Sequence, residues 1–465
     1  MRRLIVLLFL LPSFCVCTPA QNISENLNKY LEARTRLGRF SGAVLVARGN
    51  EVLFQKGYGF ADVGQRKAYT TATPEAIASL SKMFTAMAVL KLRDGGKLAL
   101  EDSICAHLLD CPDAWKPITI QEVLRHTSGI PDYEEPLDLG SDKYMAFMQQ
   151  PDASAKILEN AKKLPLDFLP GSKFHYSNTG YVALGYMVQQ VSGRPFAEYV
   201  TDTLLKPAKM TNTGIFGFGK AEGLALPYTY GDIGWQKMLA GFSLTDGTLQ
   251  RLPTLPLAPP EGDGGMYSTV NDLLKWSVVM DGGSVVSSTE AEEVFTPGMS
   301  GYGYGWIIDT ADGKKRYRHT GILPGYVSEM VKFPEDKITI VVLCNVDRAR
   351  LKNIVDDITS IVFGKPYDMP VEGNVKQLTD EIAAPLLGDY KFQDGTTLSI
   401  TRDPTMLAAA VPGKYQAGLI ALSDTEFYMP MTEGQVTFSG EKGKPAEKVN
   451  LRYSGQDHVA MRVEK

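Results

Sequence analysis

The chain is organised around residues 73–90, which read TPEAIASLSKMFTAMAVL. From Leu80 onward, apolar residues recur at intervals of three and four, and this period predicts the buried stripe of an α-helix. The helix is expected to end near Gly95, since glycine is typical of a helix C-terminus. On such a helix Ser79 and Lys82 are three positions apart, so their side chains share one face.

A hydroxyl beside an amine at the start of a buried helix is one arrangement that produces a nucleophile. The same spacing also occurs by chance in many proteins, where it marks an ordinary helix with a solvated lysine. Other parts of the sequence are therefore needed to distinguish a catalytic Ser79 from a residue on an ordinary helix surface.

The composition is that of an ordinary globular protein without a strong electrostatic preference. The 465 residues are 44% hydrophobic and 22% charged, and the formal net charge is -5. This charge gives no reason to expect binding to nucleic acid or to an anionic membrane surface. The five histidines show no paired ligand spacing, so we expect neither a metal site nor a cofactor.

Residues 1–20 have the layout of a secretory signal peptide. Two arginines precede an apolar run at residues 4–11, and a proline and several small residues follow up to Ala20. The apolar run is too short for a membrane span. We therefore expect export to the periplasm or the extracellular space, with no integral membrane segment after the signal is removed.

Two of the remaining cysteines lie close together in the sequence. In an oxidising compartment, Cys105 and Cys111 could form a disulfide bridge across a small loop. Cys344 lies in an apolar, β-rich run, and we expect it to be a buried free thiol.

Strand signals stand at both ends of residues 21–363, with helical signals between them. Short β-rich runs on either side of Gly49 predict an N-terminal hairpin, and residues 351–362 predict a closing helix. Further β-rich runs occupy residues 302–308, 315–319, 326–333 and 338–344. This order predicts an α+β domain whose antiparallel sheet is assembled from both ends and flanked by helices, with an inserted, mostly helical region.

The inserted region and the C-terminal part differ in pattern. Residues 141–165 are expected to be helical, and residues 205–262, rich in Gly, Pro and Thr, to form irregular walls of a cleft. A polar linker at 364–384 leads to residues 385–465, where short alternating runs are separated by turn residues. These runs predict a small all-β domain, a half-barrel or a lipocalin-like barrel.

Three motifs connect this chain with a known superfamily. They are Ser79-x-x-Lys82, Tyr176-Ser177-Asn178 and His319-Thr320-Gly321, and they occur in the order of the active-site motifs of the serine β-lactamase and penicillin-binding superfamily. The tyrosine in the second motif resembles the class C-like branch, with its DD-peptidase, D-aminopeptidase and esterase relatives. Residues 126–133, 264–269 and 302–306 also resemble that branch, and the resemblance covers residues 38–365.

The resemblance implies that Ser79 is the nucleophile and forms an acyl-enzyme. The base is either Lys82 or Tyr176, and the resemblance implies that the two act together. A neutral Lys82 needs a pKa about 3 units below its free value, and apolar neighbours on the helix could lower it by desolvation. With Tyr176 as the base, Lys82 would instead lower the pKa of the tyrosine.

The strand edge that contains His319 is expected to form the opposite wall of the cleft. Its predicted substrate-binding residues are His319, Thr320, Gly321 and Ile322. By resemblance, the oxyanion hole consists of the backbone N–H groups of Ser79 and Ile322. Gly321 would let the substrate backbone approach closely.

Two side chains bear on the specificity of this cleft. Asn178 would hydrogen-bond both Lys82 and the substrate amide. At position 319 a histidine stands where other members have a lysine, and since its usual pKa is about 6.5 it would be mostly neutral at pH 7. The site therefore lacks a fixed cation for a substrate carboxylate. Relatives with a histidine at this position include peptidases and esterases, so the resemblance favours these over a dedicated β-lactamase.

Other conspicuous side chains are interpreted mainly as structural. His126 is expected to be a loop residue, and His175 is a lesser candidate for lining the cleft. Tyr302, Tyr304 and Trp306 are expected to pack in the core rather than to bind substrate.

We therefore predict a secreted serine hydrolase that forms an acyl-Ser79 intermediate on a peptide, amide or ester, with D-amino-acid peptides of the cell wall as one candidate substrate. Two alternatives stay open: a class C-like β-lactamase, and a non-catalytic sensor or binding module that keeps the fold. Specificity would reside in residues 135–165 and 205–262, and the oligomeric state stays open.

Overall fold

The computed structural model describes most of the chain after its N-terminal segment. The described residues are 19–463 except 138–140, 149, 151, 219–221, 232, 254–260, 284, 404–405, 414 and 442, and the side chains of residues 19–21 are left out as well. The predicted signal peptide, residues 1–20, lies outside the described residues apart from the backbone of its last two positions, and it stays a prediction.

A six-stranded antiparallel sheet joins the two ends of the larger part of the chain. Its strands are β1 (Gly42–Arg48), β2 (Glu51–Tyr58), β3 (Ile307–Ala311), β4 (Lys314–Leu323), β5 (Tyr326–Phe333) and β6 (Ile338–Cys344). The spatial order is β3-β4-β5-β6-β1-β2. β1 pairs with β6 in a register that sets Val44 opposite Val342. The prediction of one sheet assembled from both ends is therefore confirmed.

The helices cover the sheet or fill the inserted region. They are α1 (Pro19–Arg36), α2 (Ser81–Asp94), α3 (Ile120–Leu124), α4 (Asp142–Met148), α5 (Ala153–Ala161), α6 (Asn178–Ser192), α7 (Phe196–Val200), α8 (Gly234–Ala240), α9 (Val270–Val279), α10 (Ser288–Val294), α11 (Leu351–Val362) and α12 (Asp380–Ala383). Single turns of 3-10 helix occur at Ala78–Leu80, Ile104–Ala106, Asp113–Trp115 and Met299–Gly301, and a π-helical turn at Thr201–Leu205. Short strands lie at Phe60–Asp62, Lys67–Ala68, Glu75–Ala76, Gly214–Ile215, Tyr228–Thr229, Gln250–Arg251 and Met266–Ser268.

Strands β1 and β6 are buried almost throughout on both faces, which explains their nearly continuous apolar sequences. On β1, Ala43 and Leu45 join the core shared with α2, α6 and α9, whereas Val44 and Val46 join the core shared with α1 and α11. In the first core the rings of Phe84 on α2 and Trp276 on α9 stack with centroids 4.3 Å apart. The sheet thus forms the middle layer, with helices on each side.

Three expected elements differ from the structure in their bounds, and one of them, the strand expected at 315–319, extends over Lys314–Leu323. The helical segment expected at 141–165 is two helices, α4 and α5. The strand expected to begin at 302 begins at Ile307, because Gly305 has a φ of 74° and turns the chain. A Cβ added at Gly305 would lie 2.7 Å from the carbonyl oxygen of Lys82, so this turn packs directly on α2.

The cysteines behave as expected. Cys105 and Cys111 form a disulfide, and Cys344 is a buried free thiol among the described residues. Burial raises the pKa of the Cys344 thiol to about 12, so it stays protonated and unreactive at ordinary pH.

The C-terminal strands form a closed antiparallel barrel. They are β7 (Gly388–Phe392), β8 (Thr397–Arg402), β9 (Leu407–Val411), β10 (Tyr415–Ala421), β11 (Glu426–Met429), β12 (Gly434–Ser439), β13 (Lys448–Tyr453) and β14 (Gln456–Arg462). The first and last strands close the ring, with Tyr390 opposite Arg462. Apolar side chains such as Phe427 and Phe438 fill the interior. The all-β prediction is confirmed in its lipocalin-like, closed form.

The segment between sheet and barrel is packed against both. Val371 and Val375 contact a small core made of Leu239, Ile420 and Tyr428. The boundaries predicted at 364 and 385 stay a prediction. No helix in the part of the chain described above has both the length and the hydropathy that a membrane span requires.

Candidate active site

Ser79 lies on a tight turn immediately before α2. The turn is one unit of 3-10 helix at Ala78–Leu80, and Ala78 has a φ of 49°, in the left-handed region that non-glycine residues rarely adopt. The Oγ atom of Ser81 donates to the carbonyl oxygen of Ala78 at 2.6 Å and accepts from the N–H of Met266 at 3.2 Å. These two hydrogen bonds hold the strained turn, and with it Ser79, against the short strand at Met266–Ser268.

Lys82 is fully buried and makes three hydrogen bonds at this turn. Its Nζ atom donates to Ser79 Oγ at 3.2 Å, to Asn178 Oδ1 at 2.7 Å and to the carbonyl oxygen of Asp263 at 2.9 Å. An ammonium group has three hydrogens, which matches the number of these acceptors, and Tyr176 also interacts with Lys82. The contact between Ser79 and Lys82 that the three-residue spacing predicts is therefore present.

The charge state of Lys82 is set by its neighbours. Burial alone favours the neutral amine, but negative charge on Tyr176 when it ionises, on Asp263 and on Glu134 outweighs burial and raises the pKa of Lys82. Lys82 is therefore an ammonium in the resting site. Burial acts on the pKa of Lys82 in the expected direction, but the expectation of a net lowering is wrong, because the charges of Tyr176, Asp263 and Glu134 outweigh burial.

These carboxylates belong to a cluster that the sequence analysis missed. Asn178 Nδ2 donates to Asp132 Oδ2 and to Glu134 Oε2, both at 3.0 Å. The hydroxyl of Tyr133 donates to Asp263 Oδ2 at 3.0 Å. Asn178 therefore joins Lys82 on one side to two acids on the other. Asp132 lies in the 126–133 stretch, and Asp263 adjoins the 264–269 stretch. The resemblance of these two stretches to the class C-like branch was the sequence signal that could have placed the two acids near the site.

Burial dominates the protonation of the cluster. It raises the pKa of Glu134 to about 7, with the charges of Asp263 and Asp132 acting in the same direction. Burial also raises the pKa of Asp263 to about 6, although the Lys82 charge lowers it. Near neutral pH the cluster therefore gains or loses protons beside Lys82.

Tyr176 faces Ser79 and Lys82 from the start of α6. The side chain of Ser177 caps this helix by accepting from the N–H of Gly180 at 3.2 Å, which leaves Tyr176 just outside the helix. Lys82 Nζ lies 5.0 Å from the centre of the Tyr176 ring. Burial raises the pKa of Tyr176, while the Lys82 charge and hydrogen bonds with Ser79 and Lys82 lower it in part.

His126 supports Tyr176 from behind. It is 1% exposed, its ring centre lies 4.1 Å from that of Tyr176, and its Nδ1 atom accepts from the N–H of Ser177 at 3.0 Å. Burial, with the Lys82 charge, holds the pKa of His126 well below its usual value. The interpretation of His126 as a structural loop residue is confirmed by these contacts.

His319 is also buried, with 2% of its surface exposed. Its Nδ1 atom lies 2.7 Å from the carbonyl oxygen of Thr320. Because a carbonyl oxygen can only accept a hydrogen bond, Nδ1 is the donor. The Nε2 atom then accepts from the hydroxyl of Tyr302 at 3.0 Å. Burial lowers the pKa of His319 to about 3, so the ring is neutral at ordinary pH, as expected. A role for this ring in substrate binding stays a prediction.

The rest of the 319–322 edge alternates between buried and open positions. Gly321 is buried against the Ser79 turn, Thr320 is half-buried, and Ile322 is 56% exposed. The structure therefore brings Ser79, Lys82, Tyr176 and Asn178 together on one side and this strand edge on the other. The oxyanion hole at Ser79 and Ile322 stays a prediction.

The remaining aromatic and histidine side chains fall into two groups. Tyr302, Tyr304 and Trp306 are at most 2% exposed, which confirms packing in the core. His175 is more open, and its Nε2 atom lies 3.0 Å from Glu135 Oε1.

Comparison with known proteins finds a matching family model and a relative that is similar over nearly its full length. A family model named Beta-lactamase matches residues 27–357. Penicillin-binding protein 4* of Bacillus subtilis (strain 168) is 27% identical over an alignment of 456 residues, and the match covers 95% of this chain and 99% of that protein.

Two solved structures extend the comparison to the fold. The octameric penicillin-binding protein homologue from Pyrococcus abyssi has a TM-score of 0.64 and 24% identity, and the match covers 94% of this chain and 99% of that one. The D-amino acid amidase from Ochrobactrum anthropi SV3 has a TM-score of 0.62 and 20% identity, over 74% of this chain and 99% of that one.

Proposed function

The chain belongs to the Beta-lactamase family and is a serine hydrolase of the β-lactamase and penicillin-binding type, and from this premise we propose that it forms an acyl-enzyme on Ser79 with a peptide, amide or ester. The observation that carries the proposal is the set of three hydrogen bonds from the buried Lys82 ammonium to Ser79, Asn178 and the Asp263 backbone. This set holds the Ser79 hydroxyl beside Tyr176 in one orientation.

Activation of Ser79 requires one proton to leave the Lys82–Tyr176 pair. Burial raises the pKa of Tyr176. The charge of Tyr176 once it ionises, together with those of Asp263 and Glu134, raises the pKa of Lys82 against burial, and we propose that both groups hold their protons in the resting site. Once the pair has lost one proton, a Tyr176 phenolate beside the Lys82 ammonium accepts the proton of Ser79 as Oγ attacks the acyl carbon. Tyr176 then returns that proton to the leaving group.

The proposed oxyanion hole uses backbone groups. The N–H groups of Ser79 and Ile322 would stabilise the negative oxygen of the tetrahedral intermediate. The close packing of the strand edge on the Ser79 turn supports this, since it leaves little freedom between the two segments.

Neutral substrates fit the cleft better than those that need a fixed cation at position 319. The His319 ring is neutral and both of its nitrogens are engaged, so it offers no positive charge to a substrate carboxylate. The likeness to a D-amino acid amidase supports an amide of a D-amino acid, and the near full-length likeness to a penicillin-binding protein supports a cell-wall peptide. Peptide, amide or ester hydrolysis is therefore proposed ahead of β-lactamase activity.

The deciding experiment compares the purified protein with Ser79→Ala on three kinds of compound. These are a fluorescent penicillin, chromogenic esters, and D-aminoacyl amides. Wild-type protein should turn over at least one ester or amide about 10⁴–10⁶ times faster than the variant. A covalent penicillin adduct that persists indicates a peptidase, whereas rapid turnover of penicillin indicates a β-lactamase. Identical behaviour of both proteins on every compound would leave only a binding module.

We also propose that the protein is exported. The charged and apolar segments within residues 1–20 support a signal peptide, and the Cys105–Cys111 disulfide is typical of an oxidising compartment. N-terminal sequencing of protein recovered from expressing cells tests this proposal: a mature chain that still begins at Met1 contradicts it.

A further inference from the structure

A cavity of about 680 Å³ lies between the sheet-containing part of the chain and the barrel. It is lined from one side by Arg39, by α8 and by the segment before α11, and from the barrel side by Tyr428 and Glu433. None of the active-site residues described above lines it. Its size is in the range of pockets that hold small organic molecules.

Arg39, one of the residues that line this cavity, has two buried nitrogen atoms without a hydrogen-bond acceptor. It is 3% exposed, and its Nη2 atom donates to the carbonyl oxygens of Met238 at 2.5 Å and Val371 at 3.0 Å. Its Nε and Nη1 atoms have no acceptor among the described residues. Burial lowers the pKa of Arg39, yet a guanidinium stays charged at any ordinary pH. A buried cation with spare N–H groups needs an acceptor that the described chain does not supply.

Among the described residues that line the cavity, the arginines outnumber the carboxylates. Arg348 and Arg350 line it, are exposed, and form no ion pair with a described residue. Glu433 is the one carboxylate among the described lining residues, and it is held by Arg34 at 2.7 Å and by the Asn353 amide at 3.2 Å. Glu433 is therefore ion-paired with Arg34, which also pairs with Asp357 at 3.5 Å, and its charge acts on Arg39 as well. Arg348 and Arg350 are left without an ion pair to a described residue.

Aromatic side chains give the cavity an apolar wall. The rings of Trp235 on α8 and Tyr428 on β11 lie with centroids 6.1 Å apart at 59°. Trp235 is 37% exposed, and Met238 lies on the same helix. An inorganic ion would make no use of these surfaces, whereas a molecule with an apolar group would bury them.

We propose that this cavity binds a small organic anion that carries a carboxylate next to an aromatic or apolar group. The carboxylate accepts from the exposed Arg348 or Arg350, beside the buried cation of Arg39, and the apolar group packs on Trp235 and Tyr428. Because Arg39 precedes β1 while Tyr428 belongs to the barrel, the bound anion ties the barrel to the hydrolase part of the chain. The ligand is distinct from the acyl substrate of Ser79.

Titration with phenylacetate, phenylacetamide and inorganic phosphate at constant ionic strength tests the proposal. Trp235 reports binding, since the other three tryptophans are fully buried. Phenylacetate should change the tryptophan fluorescence saturably and raise the melting temperature, and its neutral amide should do neither. Ser79→Ala should bind phenylacetate like the wild type, which separates this site from the active site.

Two variants supply the matched comparison. Arg348→Gln/Arg350→Gln should weaken phenylacetate binding about tenfold or more, because charge-assisted hydrogen bonds are lost. Arg48→Gln, a change at an exposed arginine on β1 outside the cavity, should leave it unchanged. Arg39→Met is a weaker test, since Arg39 also holds two backbone carbonyls.

Three outcomes would overturn the proposal. Equal binding of acid and amide would show that charge is not recognised. An unchanged affinity in the Arg348→Gln/Arg350→Gln variant would remove the arginines from the site. A response to phosphate but none to phenylacetate would show that the cavity takes an inorganic anion instead of an organic one.

Discussion

Gly321 on β4 packs directly against the backbone of Ile77, so that a Cβ added at Gly321 would lie 2.2 Å from the Ile77 carbonyl oxygen. The Oγ atom of Ser328 donates to the same oxygen at 2.9 Å. The missing side chain thus lets the strand edge touch the turn that carries Ser79. The chain itself therefore fills the space where a side chain of residue 321 would lie, and the close approach of a substrate backbone at Gly321 stays a prediction.

Gly321→Ala should therefore lower activity more than stability. The added methyl group forces β4 and the Ser79 turn apart, and a displacement of about 1 Å in an active site costs about 10²-fold in rate. We expect kcat/KM on a chromogenic ester or amide to fall by about that factor while urea unfolding stays cooperative. Gly283→Ala is the control, because a Cβ there has no neighbour within 4 Å. Equal activity of the two variants would contradict this account.

Lys82→Ala should abolish acylation and also change the pH dependence of stability. The variant removes the cation that offsets the charges of Asp263 and Glu134, so these acids are left buried without a partner once they ionise. We expect acylation to fall by at least about 10³-fold. The melting temperature should fall more at pH 8 than at pH 5, since protonated acids need no cation. An unchanged acylation burst would refute the role of Lys82.

The rate of acylation should rise with pH above neutrality. The raised pKa values of Lys82 and Tyr176 mean that the pair holds one proton too many at pH 7, and raising the pH removes it. Tyr176→Phe should lower kcat/KM by about 10²–10⁴-fold and abolish this rise. Tyr415→Phe, in the barrel, is the control. If the acylation rate of the wild type does not change between pH 7 and pH 10, the resting site already contains the deprotonated base.

Glu134→Gln should stabilise the protein at alkaline pH. The folded pKa of Glu134 is about 7 against an ordinary value of 4.5, so the folded state holds a proton that the unfolded state has lost between these values. Stability therefore falls as pH rises through this window, and the loss is complete above pH 7. At pH 8 the variant should be more stable by about 1–3 kcal/mol, and at pH 4 the difference should vanish.

Urea unfolding at pH 4, 6 and 8 measures this difference. The control is Glu135→Gln, the exposed neighbour, whose effect should not depend on pH in the same way. The Glu134→Gln acylation profile should also shift to lower pH, because a negative charge that stabilises the Lys82 ammonium is gone. If Glu134→Gln is less stable than the wild type at pH 8, then Glu134 is not a buried carboxyl group whose ionisation destabilises the folded state.

Local sequence was sufficient to predict the active-site motifs and the order of the helices and strands. Ser79 and Lys82 come together through a single turn, so their spacing alone predicted the contact. The apolar runs of β1 and β6 predicted their burial, although their pairing across almost 300 positions was inferred only from the order of elements. Helix α11 was predicted with its observed bounds because its apolar period is regular and its ends carry no competing signal.

The sequence by itself determined the family, the sheet, the helices around Ser79, and which residue types meet there. Only the tertiary structure decided their charge states and spacing. Asp132 and Glu134 reach Asn178 from over forty positions away, and Asp263 reaches Lys82 from 181 positions away. Shifts in pKa and steric contacts depend on distances through space, and no local sequence pattern encodes those distances. The same is true of the contact of Gly321 with Ile77 and of the unpaired nitrogens of Arg39.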